Sequence, residues 1–280
     1  MSEIMRNHVI AIQGSVSSFH DLAAKKYFGE DVTILECGSF KEVCDKLANN
    51  LVDYGIIAIE NKVAGSILLN YQLIDTHNLS IIGETYLPIE LQLLGKAGTN
   101  LSQVREIISH PMALGQSQLF LSGLENVVVS EFKDTATSAK LVAKDTENKL
   151  AVIAGPTVGK TYGLEVIADN VGDENPNFTR FYILSKGADF DSNPTKGSVT
   201  MKTHNHVGGL SDILVILKEA NLNLTKIQSV PIPKDPSSYA FHLDIEFDDK
   251  KVFDDTILKI TPLVESIKVL GIYKGESLPI

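Results

Sequence analysis

Tyr54-Gly55-Ile56-Ile57-Ala58-Ile59-Glu60 is an apolar run of strand length that stops on a carboxylate, with Asn61-Lys62-Val63-Ala64-Gly65 directly behind it. The fold turns on how this run is read. Bounded by polar and turn residues, it reads as a short strand. Val9 to Gln13, Thr33 to Cys37 and Ile81 to Glu84 read the same way, with helical patterns at Asp21 to Phe28, Phe40 to Asn49 and Ser66 to Asp75 between the strands. The alternation continues with strands at Leu87 to Gly95 and Glu106 to Ser109, a helix at Met112 to Leu121 and a strand at Val127 to Glu131. A helix at Thr135 to Lys144, a strand at Leu150 to Ala154, a helix at Thr157 to Asp169 and a strand at Phe181 to Ser185 complete it. This order predicts an α/β architecture with mostly parallel strands, whose ligands sit at the strands' carboxyl ends.

Gly187, Asp189, Asp191, Ser192, Asn193 and Pro194 crowd into the span from Lys186 to Lys196, which marks a domain boundary. Residues 1–187 make the first domain and 197–280 the second. The second reads as a strand at Ser198 to Thr203, a helix at Leu210 to Ala220, a strand at Asn223 to Val230 and a turn at Pro233 to Ser237. A strand at Ala240 to Phe247, a helix at Val252 to Ile260 and a strand at Val264 to Tyr273 follow. That is the ferredoxin-like β-α-β-β-α-β order. Both helices lie on one face of such a sheet, leaving the other to pair with a second copy or with the first domain.

With 280 residues, 44% of them hydrophobic, the chain can bury a substantial core. Its formal net charge of -10 argues against a nucleic-acid surface, so an anionic ligand must be held by local groups. Cys37 and Cys44 suggest neither a zinc site nor a disulfide framework, which fits a reducing cytoplasm. Met1 to His8 carry no apolar stretch of signal length, and no run of about 18 apolar residues occurs, so the expectation is a soluble intracellular protein.

Asn170-Val-Gly-Asp-Glu-Asn-Pro-Asn-Phe-Thr-Arg-Phe181 places an arginine among amides and a hydroxyl where a strand begins. Arg180 can grip a carboxylate with two parallel hydrogen bonds while Thr179, Asn177 and Asn170 orient neutral oxygens. The plain alternative is a capped loop carrying a surface ion pair. Ser17 and Ser18, Gly65 and Ser66, Ser109 with His110, and Asp134 with Thr135 each precede a helix. Each is an ordinary cap by default, and several converging on one cleft would also cradle an anion. Glu60 and Asn61 project from a strand end toward such a cleft, or else cap a neighbouring helix; His110 donates to a ligand or only packs. Ala154-Gly-Pro-Thr-Val-Gly-Lys-Thr161 matches a relaxed phosphate-binding loop. It stands late in its domain, its first glycine position is Ala154, and no later parallel strand ends in a suitable aspartate for magnesium. Lys160 therefore reads as a solvated helix residue.

These motifs together resemble prephenate dehydratase with a C-terminal ACT regulatory domain. Gly14 through Ala24 is similar to the family's Gly-Pro-x-Gly-Thr-Phe-Ser-x-x-Ala-Ala segment. Ile59-Glu60-Asn61 with Gly65 resembles Pro-Ile-Glu-Asn-Ser, and Ser109-His110-Pro111 with Ala113, Leu114 and Gln116 resembles Ser-His-Pro-Gln-Ala-Leu. Thr135-Ala136 and Tyr162-Gly163-Leu164 also fit, and Asn177-Phe178-Thr179-Arg180-Phe181 matches the Asn-x-Thr-Arg-Phe signature. Ser15 and Ser17 depart from Pro and Gly, Lys62 from Ser, and Met112 from Gln.

The resemblance implies a two-lobed catalytic domain like a type 2 periplasmic binding protein, followed by a ferredoxin-like ACT domain. It implies decarboxylating dehydration of prephenate to phenylpyruvate in phenylalanine biosynthesis, without metal or organic cofactor. Thr179 and Arg180 are then catalytic, and Ser18, Glu60, Asn61, Ser109, His110, Thr135, Asn170, Asn177 and Phe181 bind substrate. It further implies feedback by L-phenylalanine in a homodimer or homotetramer, at Gly208, Gly209, Leu210, Ser211, Asn223, Leu224, Gln228 and Ser229. Gly208 to Ser211 stand for Gly-Ala-Leu-Val and Gln228 to Pro231 for Glu-Ser-Arg-Pro, which bears on the effector's identity. The alternative is a non-catalytic sensor of small acids or amino acids on the same scaffold.

Overall fold

Ile56, Ile57, Ala58 and Ile59 are all buried, on both faces of their strand, because that strand lies inside its sheet. The computed structural model describes residues 8–187, 193–204, 206–232 and 235–278. The chain opens with β1 (Val9–Gln13), α1 (Phe19–Phe28), β2 (Thr33–Cys37), α2 (Phe40–Ala48), β3 (Tyr54–Asn61), the short β4 (Gly65–Ser66), α3 (Leu68–Thr76) and β5 (Ser80–Pro88). It crosses to a second lobe of β6 (Gln92–Gly95), β7 (Glu106–Ser109), α4 (Pro111–Gly115), α5 (Gln118–Ser122), β8 (Val128–Glu131), α6 (Thr135–Lys144), β9 (Leu150–Ala154), α7 (Pro156–Tyr162) and β10 (Glu165–Ala168). It then returns as β11 (Phe178–Ser185), which fills the gap between β3 and β5 and runs antiparallel to both.

That return corrects the expectation of mostly parallel strands. The first sheet, ordered β2-β1-β3-β11-β5, and the second, ordered β10-β6-β9-β7-β8, are both mixed. The two crossings between lobes are tied side by side, the Ile89 N–H donating to the Asn177 carbonyl at 2.8 Å and the Val171 N–H to the Leu91 carbonyl at 2.9 Å. The expected helix over Thr157 to Asp169 stops at Tyr162, where Gly163 takes φ +65°, and β10 follows. The expected helix over Met112 to Leu121 is two short helices, because Asp173 caps the N–H groups of Gln118 and Leu119 at 2.9 Å and starts a new one there.

The remaining elements are β12 (Lys196–Thr203), α8 (Gly209–Glu219), β13 (Asn223–Ile232), β14 (Asp235–Glu246), α9 (Lys250–Ile260) and β15 (Val264–Tyr273). Their sheet order β13-β14-β12-β15 is that of a ferredoxin-like fold. Of the expected turn at Pro233 to Ser237, residues 233–234 lie outside the described residues, and β14 already begins at Asp235. Residues 1–7, and 188–192 of the expected boundary, also lie outside them. One face of this third sheet packs against the back of the first. Val230, Leu270 and Tyr273 join the apolar cluster of Tyr71, Ile81 and Tyr182. Gly271 lies so close to β5 that an added Cβ would meet the Ile81 carbonyl oxygen at 1.9 Å. Among the described residues no helix is long and apolar enough to cross a membrane.

Candidate active site

A strand turns adjacent side chains to opposite faces, and this decides what β11 can contribute. Its register sets Thr179 opposite Asn61 and Arg180 opposite Glu60 on β3. The register then shifts so that Phe181 faces Ala58, leaving Ile59 as an extra residue in β3. Thr179, Phe181, Asn61 and Ala58 consequently share the wall of one cleft of about 300 Å³ between the lobes. Ser18, His20 and Phe19 of α1, Gln116, His110 and Met112 of the second lobe, and Asp134 with Thr135 at the start of α6 also line it.

Two catalytic expectations are separated by this geometry. Arg180 points to the other face of the sheet. Its Nε and Nη2 donate to Glu84 Oε2, and its Nη1 donates to Asp244 Oδ2 at 2.5 Å, with only 4% of the residue exposed. The expectation that Arg180 grips a substrate carboxylate is therefore corrected: its fork already holds two protein carboxylates. Glu60 faces the same way, paired with Lys226 of β13 at 2.8 Å. Ser109 is fully buried and donates to the Ile153 carbonyl, and Asn170 is an exposed turn residue at φ +50° that accepts from Asn175. None of these four lines the cleft. Ser18, Asn61, His110, Thr135, Thr179 and Phe181 do, and Asn177 sits beside it, bonded to Asn61 and Gln116.

The polarity of the site follows from Asn61. Its Oδ1 accepts the backbone N–H groups of Val63 at 3.0 Å and Ala64 at 2.9 Å, so its Nδ2 must face the other way. Nδ2 donates to Thr179 Oγ1 at 2.9 Å and to Asn177 Oδ1 at 3.0 Å. Gln116 closes the ring from the second lobe, donating to Asn61 Oδ1 at 3.0 Å and accepting from Asn177 Nδ2 at 3.3 Å. Because Thr179 Oγ1 accepts from Asn61, its own O–H proton is free to be given into the cleft.

The cleft is poor in charge. Among the described residues that line it there is no lysine or arginine. His20 is kept neutral, its pKa lowered to about 3 by burial and by the nearby His110. Burial also lowers His110, against the opposing pull of Asp134 and Glu131. In the first turns of α1 and α6 the N–H groups of Asp21 and Thr137 are taken by the caps Ser18 Oγ and Asp134 Oδ1, and those of Phe19, His20, Thr135 and Ala136 have no partner within their helices. Ser17 Oγ and Thr161 Oγ1 meet at 2.8 Å across the lobes.

His20 and Gln116 were missed as site residues. Gln116 had a signal: the helix expected over Met112 to Leu121 carries a polar amide and a serine in mid-run, where a continuous helix would bury apolar groups. His20, three residues from Ser17 in the first turn of α1, gave none beyond its place after a cap.

Fold and cleft together define a two-lobed α/β protein with a cleft of small-ligand size between its lobes. The family model for prephenate dehydratase matches residues 10–189. A bifunctional chorismate mutase/prephenate dehydratase of Enterobacter agglomerans is 30% identical over 274 residues, covering 96% of this chain and 71% of that protein. The crystal structure of prephenate dehydratase from Arthrobacter aurescens in complex with L-Phe superposes with a TM-score of 0.83 at 26% identity, covering 95% of this chain and 89% of that one. GqqA, described as a novel type of quorum quenching acylase, superposes with a TM-score of 0.83 at 26% identity over 96% and 98% of the two chains. The chain belongs to the prephenate dehydratase family.

Proposed function

We propose that this chain converts prephenate to phenylpyruvate, carbon dioxide and water, with Thr179 as the catalytic residue. The carrying observation is the Asn61 to Thr179 hydrogen bond, which leaves the threonine proton for the cleft. The carboxylate on the ring leaves as carbon dioxide, its bonding pair enters the ring, and the C4–O pair departs with the oxygen. Thr179 donates to that oxygen as it leaves and is reprotonated from solvent. A threonine hydroxyl is a weak acid, so its contribution is a hydrogen bond that strengthens as charge develops. Aromatisation supplies the driving force. With Arg180 turned away, the two carboxylates are met by hydrogen-bond donors: the first turns of α1 and α6, Ser18, Thr135 and neutral His110. Phe181 and Phe19 pack the ring.

In an assay with purified protein and prephenate, phenylpyruvate is expected. Thr179→Ala should lower kcat by about 100-fold or more while calorimetric prephenate binding persists, with Thr179→Ser retaining most of the rate. Wild-type protein that forms no phenylpyruvate overturns the proposal. A second reading is favoured by the same cation-free, largely apolar cleft: hydrolysis of an uncharged N-acyl amide, a reaction class we infer from that lining and from the description of GqqA as an acylase. Release of fatty acid from an N-acyl homoserine lactone in a parallel assay, without phenylpyruvate from prephenate, would select it.

Residues 1–187 serve as the catalytic domain on this reading, and 197–280 as an ACT regulatory domain with phenylalanine as effector. Asn223 and Leu224 border a hollow of about 330 Å³ at the carboxyl end of α8, with Leu214, Lys218 and Asn221. Gly208 to Ser211 begin the same helix, whose 11 residues span about 16 Å. On this reading the two halves of the effector pocket lie apart within one chain. A homodimer or homotetramer in which two copies each supply one half brings them together.

A further inference from the structure

Every other residue of β11 belongs to a different site. Thr179 and Phe181 face the cleft, while Arg180 and Tyr182 face the third sheet. Behind the strand, Arg180 and Lys196 meet Glu84 and Asp244, and the four side chains are each 5% exposed or less. Asp244 of β14 accepts from Arg180, from Ser198 Oγ at 2.6 Å and from the Tyr182 hydroxyl at 3.0 Å. Burial alone would raise its carboxyl. Arg180, Ser198 and Tyr182 outweigh that and hold it below the usual carboxylate range. Glu84 of β5 accepts from Arg180, from Lys196 Nζ at 2.7 Å and from the Glu276 N–H at 3.1 Å.

Such a cluster is a poor device for stability, since apolar groups of like volume hold two buried surfaces together as well or better. What charged, forked hydrogen bonds add is direction. The Arg180 guanidinium is fixed on three of its donors, and one peptide unit separates its Cα from that of Thr179, about 3.8 Å away. A shift in the third sheet that moves Asp244 must therefore move the strand at the catalytic hydroxyl, and displacements of about 1 Å there cost rate steeply.

We propose that Asp244 and Glu84 are positioning residues for the reaction: through Arg180 they set the pitch of β11 at Thr179, so that the C-terminal sheet places the catalytic hydroxyl from behind. The inference rests on the Thr179 reading above. Asp244→Asn keeps the shape but forces an amide N–H toward donors, and should lower kcat about tenfold or more with KM for prephenate changed by less than about threefold. Tyr182→Phe removes only one of Asp244's donors; it serves as the mild probe that keeps the fold, and should lower kcat in the same sense by a smaller factor.

The decisive measurement is the double-mutant cycle with Thr179→Ala in the full-length protein, each variant corrected for folded fraction by its urea transition. A positioning role predicts that Asp244→Asn and Tyr182→Phe cause no further loss once the hydroxyl is gone. Losses that multiply in both backgrounds, or folded single variants with wild-type kcat, overturn the proposal while leaving the Thr179 reading intact. Absence of phenylpyruvate formation by the wild type is the different result that would remove that reading first.

Discussion

On the proposed reading, Asn61 is the residue on which the chemistry depends without reacting. Its carbonyl is committed to Val63 and Ala64, so its amide nitrogen alone can face Thr179. Asn61→Asp preserves size but replaces that donor by an acceptor, which then takes the threonine proton for itself. The expected result is a fall in kcat of about 100-fold or more, with a much smaller change in KM, measured by steady-state formation of phenylpyruvate. A rate within about threefold of wild type would show that Asn61 does not direct the proton. At this scale the sequence was half legible. Glu60-Asn61 and Thr179-Arg180 are adjacent pairs at strand ends, and the sequence alone suggests two cleft residues in each. The two-residue period of a strand allows only one of each pair to face the cleft. Choosing which one required the register, which a local motif does not carry.

Elements were more legible than the turns between them. Apolar strands such as Ile56 to Ile59 and capped helices at Ser18 and Asp134 lie where pattern and capping chemistry put them. The antiparallel insertion of β11 was not readable, because strand pairing over a separation of about a hundred residues leaves no local trace. The break at Gln116 depends on Asp173, which is equally distant from local pattern. Helix α8 carries the next prediction. Its exposed Leu214 and Val215, and the separation of Gly208 from Asn223 along it, make sense if a second copy completes the pocket. L-phenylalanine should lower kcat and increase the sedimentation coefficient at micromolar protein, and Gly208→Val should abolish both responses. No change in either activity or assembly on adding phenylalanine would remove the regulatory reading.

At the scale of the molecule, the three sheets bury titratable groups that the chain's net charge of -10 does not reveal. His20 sits between the first sheet and the cleft, and His242 sits between the first and third sheets against Tyr71, with ring centroids 4.6 Å apart. Burial lowers the first to about 3 and the second to about 4, against 6.5 for an ordinary histidine. Between those values the unfolded chain binds protons that the folded chain refuses, so stability is complete above pH 6.5 and declines as pH falls toward 4. Asp244, held below the carboxylate range, adds a loss of the same sign at lower pH. Each histidine contributes about 1.4 kcal/mol per pH unit inside the window, so unfolding free energy should drop by about 2–3 kcal/mol between pH 7.5 and 5.5. Urea titrations at constant ionic strength measure this directly, and replacing both histidines by glutamine should flatten the dependence. A stability that stays level down to pH 5.5 would mean that these imidazoles take up protons within the fold, and that the joint between the first and third sheets is looser than its packing implies.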